Sequence, residues 1–262
     1  MRGTGVVKRY VALGSSMAAG PGIKPRAEGA PFRAGRSARN YPHLVAERLG
    51  LDLVDVTYSG ATTAHILHER QHGAPRQIEA LDGSEALVTV TIGGNDAGYV
   101  PQLMAAALPR FTRSLPVLGP RLRELLDADA RESALTEVAE ALLTVGREVR
   151  RRAPQATVLF VDYLTMLPPP DAAAPPLSEA HATLGRHVAA TLERLTGAAA
   201  AQTGCGWVRA AQASAAHHAW SAEPWTTRPG LPRPGRPAPL HPNAAGMRAV
   251  ADLVVAQAGF AA

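Results

Sequence analysis

A serine, a glycine, an asparagine and a histidine stand at four widely separated points of this chain, each beside a turn. Ser16 closes the run Tyr10-Val-Ala-Leu-Gly-Ser-Ser16, which is apolar and β-prone until it breaks into small residues. Gly60 lies in Tyr58-Ser-Gly-Ala-Thr-Thr63, Asn95 in Gly93-Gly-Asn-Asp96, and His241 in His241-Pro-Asn243. A serine hydroxyl is a poor nucleophile until a base such as histidine lies within hydrogen-bond reach. A backbone N–H at glycine and a side-chain amide are the donors that suit a developing oxyanion. Together the four make a complete set for acyl transfer. Separately, each has a plainer reading: Ser15 or Ser16 as a helix cap, Gly60 as a left-handed turn, Asn95 as a turn or cap, and His241 as a surface residue.

The elements that must bring them together can be read from the apolar pattern. Strands are expected at Val6–Leu13, Leu51–Val56, Glu85–Ile92, Ala156–Tyr163 and Gly206–Arg209, the third and fourth apolar enough to be covered on both faces. Helices are expected at Tyr41–Leu49 behind the cap Asn40, from Ala64 behind Thr63, and from Asp96 to about Leu108. Three more are expected over Arg121–Arg152 with a break near Asp127–Ala130, over Ser178–Gln202, and over Ala244–Ala258 behind Asn243. Pro109–Pro120 reads as an irregular insertion, and Ala222–Leu240 as a proline- and arginine-rich loop at the rim of a site. Strands alternating with helices call for a parallel sheet with helices on both faces, here one domain over residues 1–262. In such a sheet the carboxyl ends of the strands gather along one edge, so Ser16, Gly60 and Asn95 become neighbours there.

Composition narrows the function classes. At 262 residues and 46% hydrophobic content the chain can bury a large core. No apolar run approaches the roughly 18–20 residues of a membrane span. The net charge of +5 is carried almost wholly by arginine, with Lys8 and Lys24 the only lysines. Those arginines are scattered over helices and loops with no recognition motif, so no nucleic-acid partner is expected. The single cysteine, Cys205, forms no intramolecular disulfide and no metal cluster. With no leader pattern visible, the expected location is cytoplasmic.

The blocks Gly14-Ser-Ser16, Gly60, Gly93-Gly-Asn-Asp96 and His241-Pro-Asn243 resemble, in order and spacing, the four blocks of the SGNH (GDSL) hydrolase family. Wider stretches resemble its bacterial lipase and esterase branch: Ser59-Gly-Ala-Thr-Thr63, Val88-Thr-Val-Thr-Ile-Gly-Gly-Asn-Asp96, Val161-Asp-Tyr-Leu164 and Ser221-Ala-Glu-Pro-Trp225. The resemblance implies a three-layer α/β/α fold, flavodoxin-like, with a five-stranded parallel sheet. It implies a serine esterase or lipase with Ser16 as nucleophile and His241 as general base. The Ser16 N–H, the Gly60 N–H and the Asn95 amide would form the oxyanion hole. No cofactor and no metal are implied, and the partner is a small-molecule or lipid ester. An acyltransferase using the same residues, or a binding protein that has lost catalysis, are the alternatives.

Two positions depart from the family pattern. Ser15 stands where an aspartate is usual. Three residues before His241, where an acid often orients the imidazole, the chain has Ala238, and no carboxylate lies between Trp225 and His241. In the lipases this chain resembles, a backbone carbonyl at this position takes the acid's place, so the resemblance implies a Ser-His dyad with the Ala238 carbonyl orienting the imidazole. Asp96 is expected to cap the helix after the third strand, and Asp162 to pair with a loop arginine. His217-His218 should line a loop. Met17, Ile23, Tyr99, Val100, Leu103, Leu164 and Leu167 are candidates for an acyl pocket, or for core.

Overall fold

The computed structural model describes residues 8–260. Five parallel strands, β1 (Arg9–Gly14), β2 (Asp52–Asp55), β3 (Glu85–Thr91), β4 (Thr157–Val161) and β5 (Gly206–Val208), form one sheet in the order β2-β1-β3-β4-β5. The helices are α1 (Ser16–Ala19), α2 (Tyr41–Leu49), α3 (Thr63–Leu67), α4 (Tyr99–Ala107), α5 (Leu118–Leu125), α6 (Ala128–Arg152), α7 (Glu179–Gln202), α8 (Ala210–Ala213) and α9 (Ala244–Ala258). Period-two alternation divides the strands between two cores. Tyr10 and Ala12 of β1, with Leu87 of β3 and Leu159 of β4, face α2 and α9. Val11, Leu13, Val88, Val90 and Phe160 face the opposite layer of α3, α4, α6 and α7. This is the expected three-layer α/β/α fold. Phe160 is fully buried in it, so truncation to alanine would cost about 3–5 kcal/mol.

The strand order fixes where a site can form. From β1 the chain steps outward to β2 and then returns to β3 on the other side of β1. The connections at the carboxyl ends of β1 and β3 therefore diverge and leave a crevice. Ser16 follows β1 and Asn95 follows β3, so the two predicted residues stand on adjacent strands at that crevice.

Several expected boundaries shift. Val6 and Val7 of the expected first strand lie outside the described residues. The fourth strand ends at Val161, two residues early, because Asp162 turns to accept hydrogen bonds from the β5 side. Thr62 rather than Thr63 caps α3. The expected break in the long helix is real: α5 ends at Leu125, and Asp127 caps α6 by accepting from the Ala130 N–H at 2.9 Å. Part of the Pro109–Pro120 insertion is helical, since α5 begins at Leu118. Pro120 sits in its first turn, where a missing N–H costs no helical bond.

Candidate active site

β1 delivers Ser16 through a turn with little freedom. Gly14 has φ +151°, and a Cβ there would stand 2.6 Å from the Thr91 carbonyl oxygen, so close pairing with β3 demands glycine. The Gln77 side chain clasps the Gly14 peptide on both sides, accepting from its N–H at 2.7 Å and donating to its carbonyl at 3.0 Å. Tyr58 N–H donates to the same carbonyl, and Ser15 N–H donates to Thr91 at 2.9 Å. Ser16 is then the first residue of α1 and is buried.

The turn after β3 is tied to the Ser16 turn by Tyr163. Its hydroxyl accepts from Gly94 N–H at 2.8 Å and lies 3.4 Å from Ser15 Oγ. Burial pushes the phenol up to about 12, so it stays protonated and has one hydrogen to give Ser15. A side chain on Gly94 would overlap the Tyr163 ring. Serine at position 15 thus joins a Tyr163 bridge where the family pattern has an acid.

Gly60 and Asn95 meet in the crevice. Gly60 adopts φ +79°, held between Ser59, whose N–H and hydroxyl both donate to the Ala34 carbonyl, and Ala61, whose N–H donates to Tyr58. Asn95 Nδ2 donates one hydrogen to the Ala61 carbonyl at 2.8 Å, which leaves its second hydrogen uncommitted. Among the described residues, neither the Ser16 N–H nor the Gly60 N–H has a protein acceptor. Asp96 does not cap α4 as expected. It accepts from the Thr63 N–H at 2.9 Å and the Thr63 hydroxyl at 2.5 Å, so it pins α3 and the Gly60 turn to the Asn95 turn. The carboxylate reaches forward in space to a helix that precedes it in sequence.

His241 arrives from the other direction, on the loop before α9. Ser16 Oγ lies 2.8 Å from its Nε2. The predicted orienting group is corrected: Nδ1 meets the carbonyl of Pro239 at 2.7 Å, not that of Ala238. The Ala238 carbonyl is already taken by the Thr227 hydroxyl at 2.6 Å and the His241 N–H at 3.2 Å. Residues 238–241 form a turn with proline second and Leu240 at φ +59° third, the pattern of a type II turn. Such a turn directs the first carbonyl inward and turns the second away from it, toward the imidazole. The sequence carried the signal in the proline of Ala238-Pro-Leu-His241. A carbonyl only accepts, so the proton sits on Nδ1 and Nε2 offers its lone pair to the Ser16 hydroxyl. Burial holds His241 below the usual imidazole value, against a smaller upward pull from Pro239.

The remaining candidates do other work. Asp162 pairs with no arginine among the described residues; its carboxyl accepts from Trp207 Nε1 and the Ala211 N–H, both at 2.8 Å. Burial outweighs these bonds and pushes it up to about 7. His217 stacks on Trp225 with ring centroids 4.1 Å apart. The Trp225 carbonyl accepts from Asn243 N–H, which steadies the start of α9. Tyr99, Leu164 and Leu167 of the acyl-pocket candidates line an apolar cavity of about 280 Å³ against Tyr163, whereas Met17 and Ile23 are core. No cluster of three or more His, Cys, Asp or Glu side chains able to hold a metal occurs among the described residues.

Known proteins resemble this chain in sequence and fold. The profile of the GDSL-like Lipase/Acylhydrolase family matches residues 12–249. The chain is 32% identical over 250 residues to "Lipase 2" of Streptomyces coelicolor, covering 93% of this chain and 83% of that protein. Among solved structures, an extracellular lipase from Streptomyces rimosus superposes with TM-score 0.75 at 25% identity, over 97% of this chain and all of that one. A phospholipase A1 from Streptomyces albidoflavus has the same fold, with TM-score 0.79 at 24% identity over 97% and 100% of the two chains. This chain belongs to the GDSL-like lipase/acylhydrolase family and is a carboxylic ester hydrolase.

Proposed function

We propose that the enzyme cleaves acyl esters of lipid type through a Ser16–His241 dyad and an acyl-enzyme. The observation that carries this reading is the 2.8 Å approach of Ser16 Oγ to His241 Nε2, with the Nδ1 proton held on the far side by Pro239. His241 takes the hydroxyl proton as Ser16 Oγ attacks the ester carbonyl. The oxyanion is met by the Ser16 N–H, the Gly60 N–H and the uncommitted Asn95 hydrogen. Each such donor is worth about 3–4 kcal/mol in the transition state. The imidazolium then protonates the departing alkoxide, and water, activated by the same imidazole, releases the acid. Among the described residues no carboxylate meets the His241 ring; a neutral carbonyl stabilises the imidazolium less than an acid would, and burial, the larger effect, holds the imidazole below its usual value.

The acyl chain is given to the mainly apolar cavity lined by Ile92, Tyr99, Tyr163, Leu164 and Leu167, which adjoins the site through Tyr163, the residue that holds the Gly94 N–H beside Asn95. Relatives named as lipases and as a phospholipase A1 support a lipid-type acyl group. The test combines fluorophosphonate labelling with turnover of p-nitrophenyl esters from acetate to palmitate. Wild type should label at Ser16, Ser16→Ala should neither label nor turn over, and a medium chain should fit best. Labelling that survives Ser16→Ala would overturn the assignment.

A further inference from the structure

Six large apolar side chains are exposed among the described residues, and they are not spread at random. Phe32 is 82% exposed, Phe111 69%, Val117 92% and Leu231 84%, with Leu115 and Leu118 both at 42%. All six lie on three segments: the loop after β1 (20–40), the insertion between α4 and α6 (109–126) and the loop before α9 (222–240). The first leaves the carboxyl edge of the sheet just after Ser16, and the third returns to it at His241.

The insertion stands at that edge as well. α7 runs antiparallel to the strands, since β5 starts at the amino edge four residues after α7 ends. The start of α7 therefore projects past the carboxyl edge, and there Ser178 and His181 share a depression with Pro109, Arg110 and Arg113. At the other end of the insertion, a Cβ on Gly98 would stand 3.6 Å from the Leu125 side chain, three residues beyond Asn95. At 1.5 Å per residue, α5 carries the chain only about 10 Å from Leu125 to Leu118.

Charge follows the same division. The three segments carry formal charges of +4, +3 and +2. They hold +9 in all while the whole chain has +5, so the remainder of the protein is net −4. Arg110, Arg113, Arg121 and Arg123 flank the insertion's four apolar side chains with Glu124 as the one acid. In the loop after β1, Arg26 lies 4.9 Å over the Phe32 ring. A basic surface that also exposes large apolar side chains is what an anionic bilayer recognises, by attraction to headgroups and shallow burial of the apolar groups.

We propose that the carboxyl-edge face docks on anionic lipid, with Phe111, Leu115, Val117 and Leu118 entering the headgroup layer. This reading rests on the proposed ester hydrolysis only for its purpose, which is to bring the Ser16 crevice against membrane-borne esters. No helix among the described residues is long and apolar enough to cross a membrane, so the association is peripheral.

The test is co-sedimentation of the full chain carrying Ser16→Ala, so that binding is read without turnover, with vesicles of phosphatidylglycerol and phosphatidylcholine or of phosphatidylcholine alone. Binding should require the anionic lipid and weaken with salt. Adding Phe111→Ser and Val117→Ser should weaken it at least about tenfold. The same pair in the otherwise wild-type enzyme should leave turnover of soluble p-nitrophenyl butyrate unchanged. Should the pair unfold the protein, Val117→Ser alone, at the most exposed of the six positions, still has to weaken binding. Equal binding to both vesicle types, no binding, or binding indifferent to the substitutions overturns the proposal. So does light scattering that shows a dimer split by these substitutions, because a second copy would then be what covers the patch. Loss of hydrolysis by some other cause leaves the binding result standing.

Discussion

The proposed nucleophile, Ser16, and its proposed base, His241, are held by different kinds of structure. Ser16 follows a strand paired on both sides, and its turn is pinned by Gln77, Tyr58, Thr91 and Tyr163 within a few ångströms. His241 ends a loop outside every strand, and its turn is held mainly by one residue, through both its side chain and its main chain. Thr227 donates its hydroxyl to Ala238, its N–H to the His241 carbonyl at 3.0 Å, and accepts from Leu240 N–H at 3.2 Å. The sheet thus fixes one reactant by many shared constraints, and a threonine clamp fixes the other by few. Damage on the sheet side should spread to the fold, while damage on the loop side should stay in the chemistry.

The largest effect tests the pairing itself. His241→Ala should lower kcat by at least about 10³-fold with the Tm nearly unchanged; near-wild-type turnover would show that another base serves Ser16. Next comes Asn95→Ala, which removes a proposed oxyanion donor and should cost about 10²–10³ in kcat. Because Asn95 also holds Ala61, a rise in KM without a fall in kcat would mark it as structural only.

Tyr163→Phe probes the sheet side. It strands a buried Gly94 N–H, at a cost of about 1–3 kcal/mol, and should lower Tm and kcat together. Thr227→Val probes the loop side. It removes the hydroxyl's donation to Ala238 and a longer contact from the His241 N–H; a loss of about 1 kcal/mol should reduce kcat about fivefold, with little change in Tm and a shifted pH profile. If the two variants behaved alike, the contrast between the two supports would fail.

The pH profile is the finest probe. His241 must be neutral to accept the Ser16 proton, and its value in the folded enzyme lies below the ordinary 6.5. The kcat/KM should therefore be flat above neutrality and fall only as pH drops through a value below 6.5. An inflection above 6.5 would mean that a carboxylate, and not burial, governs the imidazole.

The same contrast explains what could be read from the residues alone. The β1 and β3 segments are apolar to the residue before their glycines, and parallel pairing leaves few ways to arrange them, so Ser16 and Asn95 could be placed at one edge. The last helix, Ala244–Ala258, was legible to its ends from Asn243 and the apolar repeat. The Pro239 carbonyl was not, because counting back from the histidine finds a residue, whereas the sign of φ at Leu240 decides which carbonyl faces the ring. The Tyr163 bridge and the Asp96–Thr63 contact were hidden for a similar reason: both join turns from different strands. Only the first turn of α5, from Leu118, was missed, because Pro116, Gly119 and Pro120 mask its start.

An orienting group made of main chain has a practical corollary. Among the described residues no aspartate or glutamate meets the His241 ring, and changing Pro239 to another amino acid would leave its C=O in place. Only an edit to the backbone itself, such as an ester in place of the Pro239–Leu240 amide, weakens that acceptor. The partner of the imidazole is therefore shielded from ordinary point mutation, and what inheritance can alter is the turn that aims it.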